Sequence, residues 1–250
     1  MDDKDKCLTL SVDVGGTRVK AAVVDAYGAL ASSLVGSETI YPCPPDGLVR
    51  GVKALAESLP KYHRASVGFP GMIRRGRVLS ASNLATSAGP GTSAEAGLAQ
   101  LWSNFDLRSA MERNLGCPTL VANDADMQGA SVISGNGLEV VITLGTGFGS
   151  AVFDAGRLAP HIELAHHPFL HGRTYDDQLG RLALAETGLD GWNRSVIEAI
   201  ATLDRLFFYD HLYIGGGNSR LVNIPVSSRV SLVNNIAGVK GGGRLWNLGA

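Results

Sequence analysis

The chain has 250 residues, 45% of them apolar and 18% charged, with a formal net charge of −1. This balance suits one large domain or two lobes of roughly 110–130 residues; it excludes a charge-driven disordered chain and gives no bulk attraction to nucleic acid. The outlier is glycine, with 32 residues and no collagen period, so these glycines are expected in turns or where backbone approaches something closely.

In chain order, the charged hexapeptide Met1–Lys6 reads as a solvated tail, with no signal peptide. Leu8–Val14 reads as an apolar strand stopped by Gly15-Gly16-Thr17, Arg18–Asp25 as its hairpin partner and Ala29–Thr39 as a third strand. Leu48, Val52, Leu55 and Leu59, at three- and four-residue spacing after Pro44-Pro45, predict a helix. Ala65–Phe69 is a short buried strand ending in Pro70-Gly71, and Leu79–Thr92 an irregular loop. Helices are expected over Ala94–Trp102 and over Asp106–Leu115, the latter with Asp106 as N-cap. Thr119–Ala122 is a strand running into Asn123-Asp124 and another helix. Val140–Leu144 and Ser150–Phe153 are strands flanking a glycine run. Thr174–Glu186 opens with an approximate capping box, Thr174 and Asp177. Trp192–Phe208 places Val196, Ile200, Leu203 and Phe207 on one helical face. His211–Ile214 and Arg229–Val233 read as strands, and the rest as a short glycine-rich tail. The alternation of strands and helices in both halves indicates an α/β chain, divided near Leu120–Asp124 into lobes 1–122 and 123–250, with the tail free to return to the first.

No apolar run reaches the ~18 residues of a membrane span. Cys7, Cys43 and Cys117 are scattered and odd in number, which argues against a disulfide framework and a cysteine-rich zinc site; a cytoplasmic setting is expected.

Three glycine turns follow strands: Asp13-Val14-Gly15-Gly16-Thr17, Gly145-Thr146-Gly147 and Gly215-Gly216-Gly217. Turns without side chains let backbone amides point at phosphate oxygens. None fits a P-loop or a dinucleotide fingerprint, and each alone also reads as an ordinary β-turn. Asp13, at a strand end, reads either as a turn-forming residue or as an anchor for Mg²⁺, directly or through water. Asp124 suits the carboxylate that accepts a hydroxyl proton in phosphoryl transfer. Pro160–His171 holds four of the six histidines; Glu163 and His166 share a face on a helical turn, and the segment reads as a metal site, a solvated loop or a set of hydrogen-bonding groups for a sugar.

With these residues in view, the chain resembles the ROK sugar kinases of the actin/hexokinase/Hsp70-like ATPase (ribonuclease H-like) fold, and within them the short polyphosphate glucokinases. The resemblance assigns Asp13, Gly15, Gly16, Thr17 and Lys20, then Gly145, Thr146 and Gly147, then Gly215, Gly216 and Gly217 to the phosphate or nucleotide side. It assigns Pro70, Gly71, Asn83, Asn123, Asp124, Glu163 and His166 to the sugar side, with Asp124 as general base. It implies transfer of a phosphoryl group from polyphosphate or ATP to the 6-hydroxyl of glucose, with Mg²⁺ neutralising the donor, two lobes closing on the sugar, and a homodimer.

Two features depart from the family pattern. The cysteine motif of its zinc-binding members is absent from His171–Gly180, so zinc is not expected. The family's second sugar-binding glutamate has no clear counterpart, with Asp176 and Asp177 nearest, and Ala165 replaces the glycine of Glu-x-Gly-His. The other classes weighed are a kinase for mannose or an N-acetylhexosamine, a sugar-binding homologue without catalysis, and a sugar-sensing repressor, the last disfavoured because the first strand is expected from about residue 8. A polyphosphate track would draw on Arg18, Lys20, Arg220, Lys240, Arg244 or the cluster Arg74, Arg75 and Arg77, which equally reads as a solvated hairpin tip.

Overall fold

The computed structural model describes residues 7–225, 227–233 and 237–249, so the charged hexapeptide lies outside the described residues. The chain divides into two compact units, Met1–Ser131 with Gly238–Ala250, and Val132–Ala237.

In the first unit, β1 (Thr9–Val14), β2 (Arg18–Val24), β3 (Val35–Glu38), β4 (Arg64–Phe69) and β7 (Thr119–Asn123) form one sheet in the order β3-β2-β1-β4-β7. The β1–β2 and β2–β3 pairs are antiparallel, while β1–β4 and β4–β7 are parallel. Alternation along β1 decides which face is which. Leu10, Val12 and Val14 join Val67, Phe69 and the buried faces of α1 (Pro45–Glu57) and α3 (Leu107–Leu115) in one core cluster. Between these helices come the small hairpin β5 (Ile73–Arg74) and β6 (Arg77–Val78), and α2 (Ala96–Trp102), whose Trp102 Nε1 donates to Cys43 O at 2.9 Å. Asp106 caps α3, accepting from Ser109 N at 3.0 Å.

The other face of the sheet carries small residues, and α4 (Asp124–Ala130) and α7 (Ala237–Leu245) lie there. Ser66 Oγ donates to Gly242 O at 2.7 Å, and Trp246 Nε1 donates back to Ser66 Oγ at 3.0 Å. A Cβ at Gly241 would strike the Met127 carbonyl, one at Gly242 the Ser11 hydroxyl, and one at Gly243 the Asp25 carbonyl. The glycine-rich tail is therefore a close-packed helix.

The second unit repeats the sheet order with β8 (Leu138–Leu144), β9 (Phe148–Asp154), β10 (Arg157–Leu158), β11 (His211–Gly215) and β12 (Val230–Leu232), arranged β10-β9-β8-β11-β12. The first hairpin is again antiparallel and the following pairs, β8–β11 and β11–β12, parallel. Val140, Ile142, Leu144, Leu212 and Ile214 pack with Leu179 of α5 (Tyr175–Leu179) and with Trp192, Val196, Ala199 and Leu203 of α6 (Arg181–Phe207).

Three features differ from the sequence reading. Ala29–Thr39 is a strand only at Val35–Glu38, because the Asp25 carboxylate holds a turn at Tyr27 and Ala29 and Ser32 Oγ takes the Val23 amide that a third strand would bond. The expected helix Thr174–Glu186 breaks at Gly180, which is extended (φ −70°, ψ 172°) so that the Arg181 amide can reach Thr146 O at 3.1 Å. A second break, at Gly188 with a non-helical φ of 68°, falls between the two expected helices, Thr174–Glu186 and Trp192–Phe208. The units divide after Ser131, not after residue 122, because α4 packs on β4 and β7 and stays with the first sheet.

Candidate active site

In the first unit the carboxyl ends of three parallel strands lie side by side, where open α/β sheets bind ligands. Asp13 of β1 stands opposite Gly68 of β4, Gly68 opposite Ala122 of β7, and Phe69 opposite Asn123. Residues far apart in sequence thus reach one rim: Asp13, the Gly68–Gly71 segment, Asn123 and Asp124. At Gly68 the strand passes close to the start of α4: a Cβ there would press on the end of the Met127 side chain, 2.7 Å from Cε, and stand 3.4 Å from Asp124 Cα. Asn123 fixes the corner from both ends of its amide. Its Oδ1 accepts from Ala125 N at 2.8 Å and caps α4, while its Nδ2 donates to Gly71 O at 3.1 Å.

Asp13 pairs across the strand with Lys20. Burial pushes its carboxyl up, and Lys20 draws it part of the way back. The hairpin turn beyond it is braced through its carbonyls. The Gly15 amide donates to Arg18 O at 2.9 Å, Thr39 Oγ1 donates to Gly15 O at 2.7 Å, Tyr41 Oη to Gly16 O at 2.7 Å, and the Thr39 amide to Thr17 O at 3.0 Å. With its carbonyls and the Gly15 amide spent in this way, the turn has the Gly16 and Thr17 amides to offer an anion. Asn83 lies beside it: a Cβ at Gly16 would run into the Pro90 ring and stand 3.6 Å from Asn83 Cβ.

The second unit holds two glycine turns next to each other, since Gly215 stands opposite Thr143. Asn218 stitches them: its amide donates to Leu144 O at 2.8 Å and its Nδ2 to Gly145 O at 3.1 Å. Gly216, with φ of 88°, has no room for a side chain against the Leu144 backbone. The turn at Gly145–Gly147 is closed by Gly145 N donating to Gly147 O at 3.0 Å.

Glu163 and His166 belong to a short 3₁₀ turn beside this turn's own strand, β9. Burial alone would raise the Glu163 carboxyl, but the interactions with His161 and His166 outweigh it and hold the group below its ordinary range. His161 Nε2 lies 3.8 Å from Glu163 Oε2. Asp176 joins the group. Its Oδ1 accepts from Phe148 N at 2.7 Å, burial raises its carboxyl, and both Glu163 and His166 act on it electrostatically. Asp177 does not: its carboxylate accepts from the Thr174 amide at 3.0 Å and hydroxyl at 2.8 Å in a capping box.

The structure thus brings Asp13, Gly15, Gly16, Thr17, Lys20, Pro70, Gly71, Asn83, Asn123 and Asp124 to one end of the first unit. It brings Gly145, Thr146, Gly147, Glu163 and His166, with Gly215, Gly216 and Gly217 alongside, to one end of the second. Sequence reasoning missed Thr39, Tyr41 and Asn218 and left Asp176 undecided. Asn218, directly after the glycine triplet, carried some signal; Tyr41 carried none, because its partners are backbone carbonyls. Among the described residues, no group of three His, Cys, Asp or Glu side chains stands ready to hold a metal, and no helix is long and apolar enough to cross a membrane.

The likeness expected from the motifs is found among known proteins. Polyphosphate glucokinase of Mycobacterium tuberculosis is 25% identical over 247 residues, covering 92% of this chain and 88% of that protein. Glucokinase of Streptomyces coelicolor is 27% identical over 161 residues, covering 60% of this chain and 45% of that protein. Among solved structures, the inorganic polyphosphate/ATP-glucomannokinase of Arthrobacter sp. strain KM superposes with a TM-score of 0.78 at 27% identity, covering 94% of this chain and 96% of that one. The ROK family glucokinase of Streptomyces griseus, solved with glucose and AMPPNP, superposes at 0.67 with 19% identity and shares the actin/hexokinase-like fold. A profile of the ROK family matches residues 9–160, more than half of the sequence, and the chain belongs to that family.

Proposed function

We propose that this chain, a sugar kinase by family and relatives, transfers a phosphoryl group to the 6-hydroxyl of glucose and takes it from polyphosphate as well as from ATP. The observation that carries the reading is the rim of the first sheet. There a carboxylate for the donor side (Asp13) and a glycine turn for phosphate (Gly15–Thr17) stand at the end of β1, and a carboxylate for the acceptor side (Asp124) follows the end of β7, with only β4 between the two strands. Asp124, at the first position of α4, takes the proton of the attacking hydroxyl, and Asn123 holds that position by capping the helix. In the first unit Pro70, Gly71 and Asn83 are assigned to sugar hydroxyls, and in the second unit Glu163 and His166 carry the same assignment. The glycine turns of both units bind donor phosphates through their amides, where transfer depends on positioning and charge stabilisation more than on covalent chemistry.

Magnesium fits this set. Asp13 is a half-buried carboxylate whose ionised form is disfavoured by desolvation, only partly offset by Lys20, and Mg²⁺ is usually held by one or two carboxylates plus substrate phosphates rather than by an all-protein cage. Bound there, it would neutralise charge on the donor.

A matrix of activities tests the reading: glucose, mannose and N-acetylmannosamine as acceptors, each with ATP and with polyphosphate, followed as sugar phosphate. Glucose phosphorylation with both donors is expected. Activity confined to another hexose would move the substrate assignment, with mannose favoured by the name of the Arthrobacter relative. No sugar phosphate from any pair would leave a sugar-binding protein without catalysis.

A further inference from the structure

Tyr41 lies outside every motif, yet its hydroxyl faces both halves of the first unit's rim. It stands 2.7 Å from the Gly16 carbonyl in the phosphate turn and 2.9 Å from the Asn83 carbonyl in the loop that follows β6. A phenol has one proton to donate, so that proton is shared between the two carbonyls or passes from one to the other. The ring lies against the same loop, where a Cβ at Gly89 would stand 3.4 Å from its Cε2, and Pro90 covers Gly16 so closely that no side chain fits at that glycine. The loop is stiffened by its own bonds, with Thr92 Oγ1 donating to Gly89 O at 2.7 Å and accepting from the Ala88 amide at 3.1 Å. Burial pushes the Tyr41 hydroxyl up to about 12, so it stays a donor throughout the neutral range. Two residues earlier, Thr39 holds Gly15 and Thr17 but makes no bond to the loop.

We propose that Tyr41 is a positioning residue that couples the sugar-side loop to the first phosphate turn, so that a sugar ordering Asn83 also sets Gly16. The proposal rests on the sugar-kinase reading and adds to it a route, within one unit, by which the acceptor prepares the donor's turn. It assigns Tyr41 no contact with either substrate.

The test compares the wild-type chain with Tyr41→Phe, which keeps the ring and removes only the hydroxyl, and with Thr39→Val, which loosens the turn without touching the loop. Backbone hydrogen exchange is followed with and without glucose, beside glucose binding and steady-state kinetics. In the wild type, glucose is expected to slow exchange in residues 80–92 and also in residues 15–18. In Tyr41→Phe only residues 80–92 should respond, with glucose affinity within about threefold of wild type and kcat lower by about 3–10-fold, the scale of one lost hydrogen bond. Thr39→Val should keep the link between the two segments. Equal protection of residues 15–18 in Tyr41→Phe and wild type would overturn the coupling. A wild-type chain in which glucose protects residues 80–92 and not 15–18 would do so without any variant, and would leave the kinase reading standing. Glucose protecting neither segment of the wild type, with no measurable binding, would remove the glucose reading together with this one.

Discussion

Asp176 Oδ1 accepts a hydrogen bond from the Phe148 amide at 2.7 Å, in the space that a side chain at position 147 would need. The glycine at 147 and the aspartate at 176 are therefore two halves of one contact. The carboxylate ties α5 to the Gly145–Gly147 turn, and the missing Cβ makes room for it. Asp177, its neighbour, is exposed and committed to the Thr174 cap, so the two adjacent acids have separate tasks.

Asp176→Asn keeps an oxygen for the Phe148 amide and removes the charge. Because burial raises the folded-state value above 3.8, the carboxyl supports folding fully below the unfolded value and loses that contribution as pH rises through the folded one. Wild type should therefore lose stability relative to Asp176→Asn as pH increases from the acid side toward neutrality. Melting temperatures of both proteins across that range check the sign, and parallel curves would mean that the carboxyl is not perturbed.

Glu163 gives the opposite sign from the same unit. Its folded-state value lies below 4.5 despite burial, through His161 and His166, so its contribution is present above the unfolded value and lost as pH falls through the folded one. Glu163→Gln should flatten that acid limb. In kinetics it should raise the sugar KM more than the donor KM, because a charge-assisted hydrogen bond to a sugar hydroxyl is lost. An equal rise in both would place Glu163 in a structural role.

For Asp124, replacement by Asn preserves size and one acceptor oxygen but removes the proton acceptor. Turnover should fall by ~10²–10⁴, the usual contribution of a positioned base, while glucose affinity changes little. Near-normal turnover in Asp124→Asn would assign the proton to another group.

The C-terminal helix makes a prediction about stability alone. A Cβ at Gly241 would strike the Met127 carbonyl, a backbone atom that cannot swing aside. Gly241→Ala should cost about 1–3 kcal/mol as α7 shifts off the sheet, the range for overpacking, although alanine is the better helix former. Urea denaturation measures this directly; a more stable variant would mean that the helix does not sit this close.

The same helix shows where sequence legibility ended. Four glycines in Gly238–Gly243 read as a tail, because each costs a helix about 1 kcal/mol against alanine. What reverses that reading is the small-residue face of Ser11, Ser66 and Gly68 in strands far upstream, which no local pattern reports. The strands and glycine turns were legible because apolar alternation and turn chemistry are local. Asp13, Asn123 and Asp124 were legible because each is a polar residue at the end of an apolar run. Tyr41 and Asp176 were not, since their partners are main-chain groups brought close only by the fold. The repeated sheet order explains why two phosphate-like turns occur at all: each closes the first hairpin of its own unit.

The choice of donor turns on which basic side chains remain available to a polyanion. Arg77 is engaged, bonded to the Asn104 carbonyl at 2.8 Å and paired with Asp106 at 3.2 Å, and Arg244 donates to Ser131 O at 2.9 Å. Arg18 and Lys20 lie on the Asp13 face of β2, since Lys20 is opposite Asp13 and Arg18 is two residues along the same strand. Arg18 is exposed and stands opposite Glu38 of β3, while Lys20 stands opposite Gly36, which has no side chain to compete for it. These two are the basic pair nearest the first phosphate turn. Binding a long polyanion through several exposed cations weakens steeply with salt, whereas a nucleotide held largely by backbone amides depends on it less. Polyphosphate turnover is therefore expected at least to equal that with ATP at low ionic strength and to fall faster as salt is added. Arg18→Ala should raise the KM for polyphosphate severalfold more than that for ATP and flatten its salt dependence. Identical salt slopes for the two donors, or an Arg18→Ala effect equal on both, would take Arg18 out of donor selection; turnover with ATP and none with polyphosphate of any length would leave an ATP-dependent hexokinase of the same family.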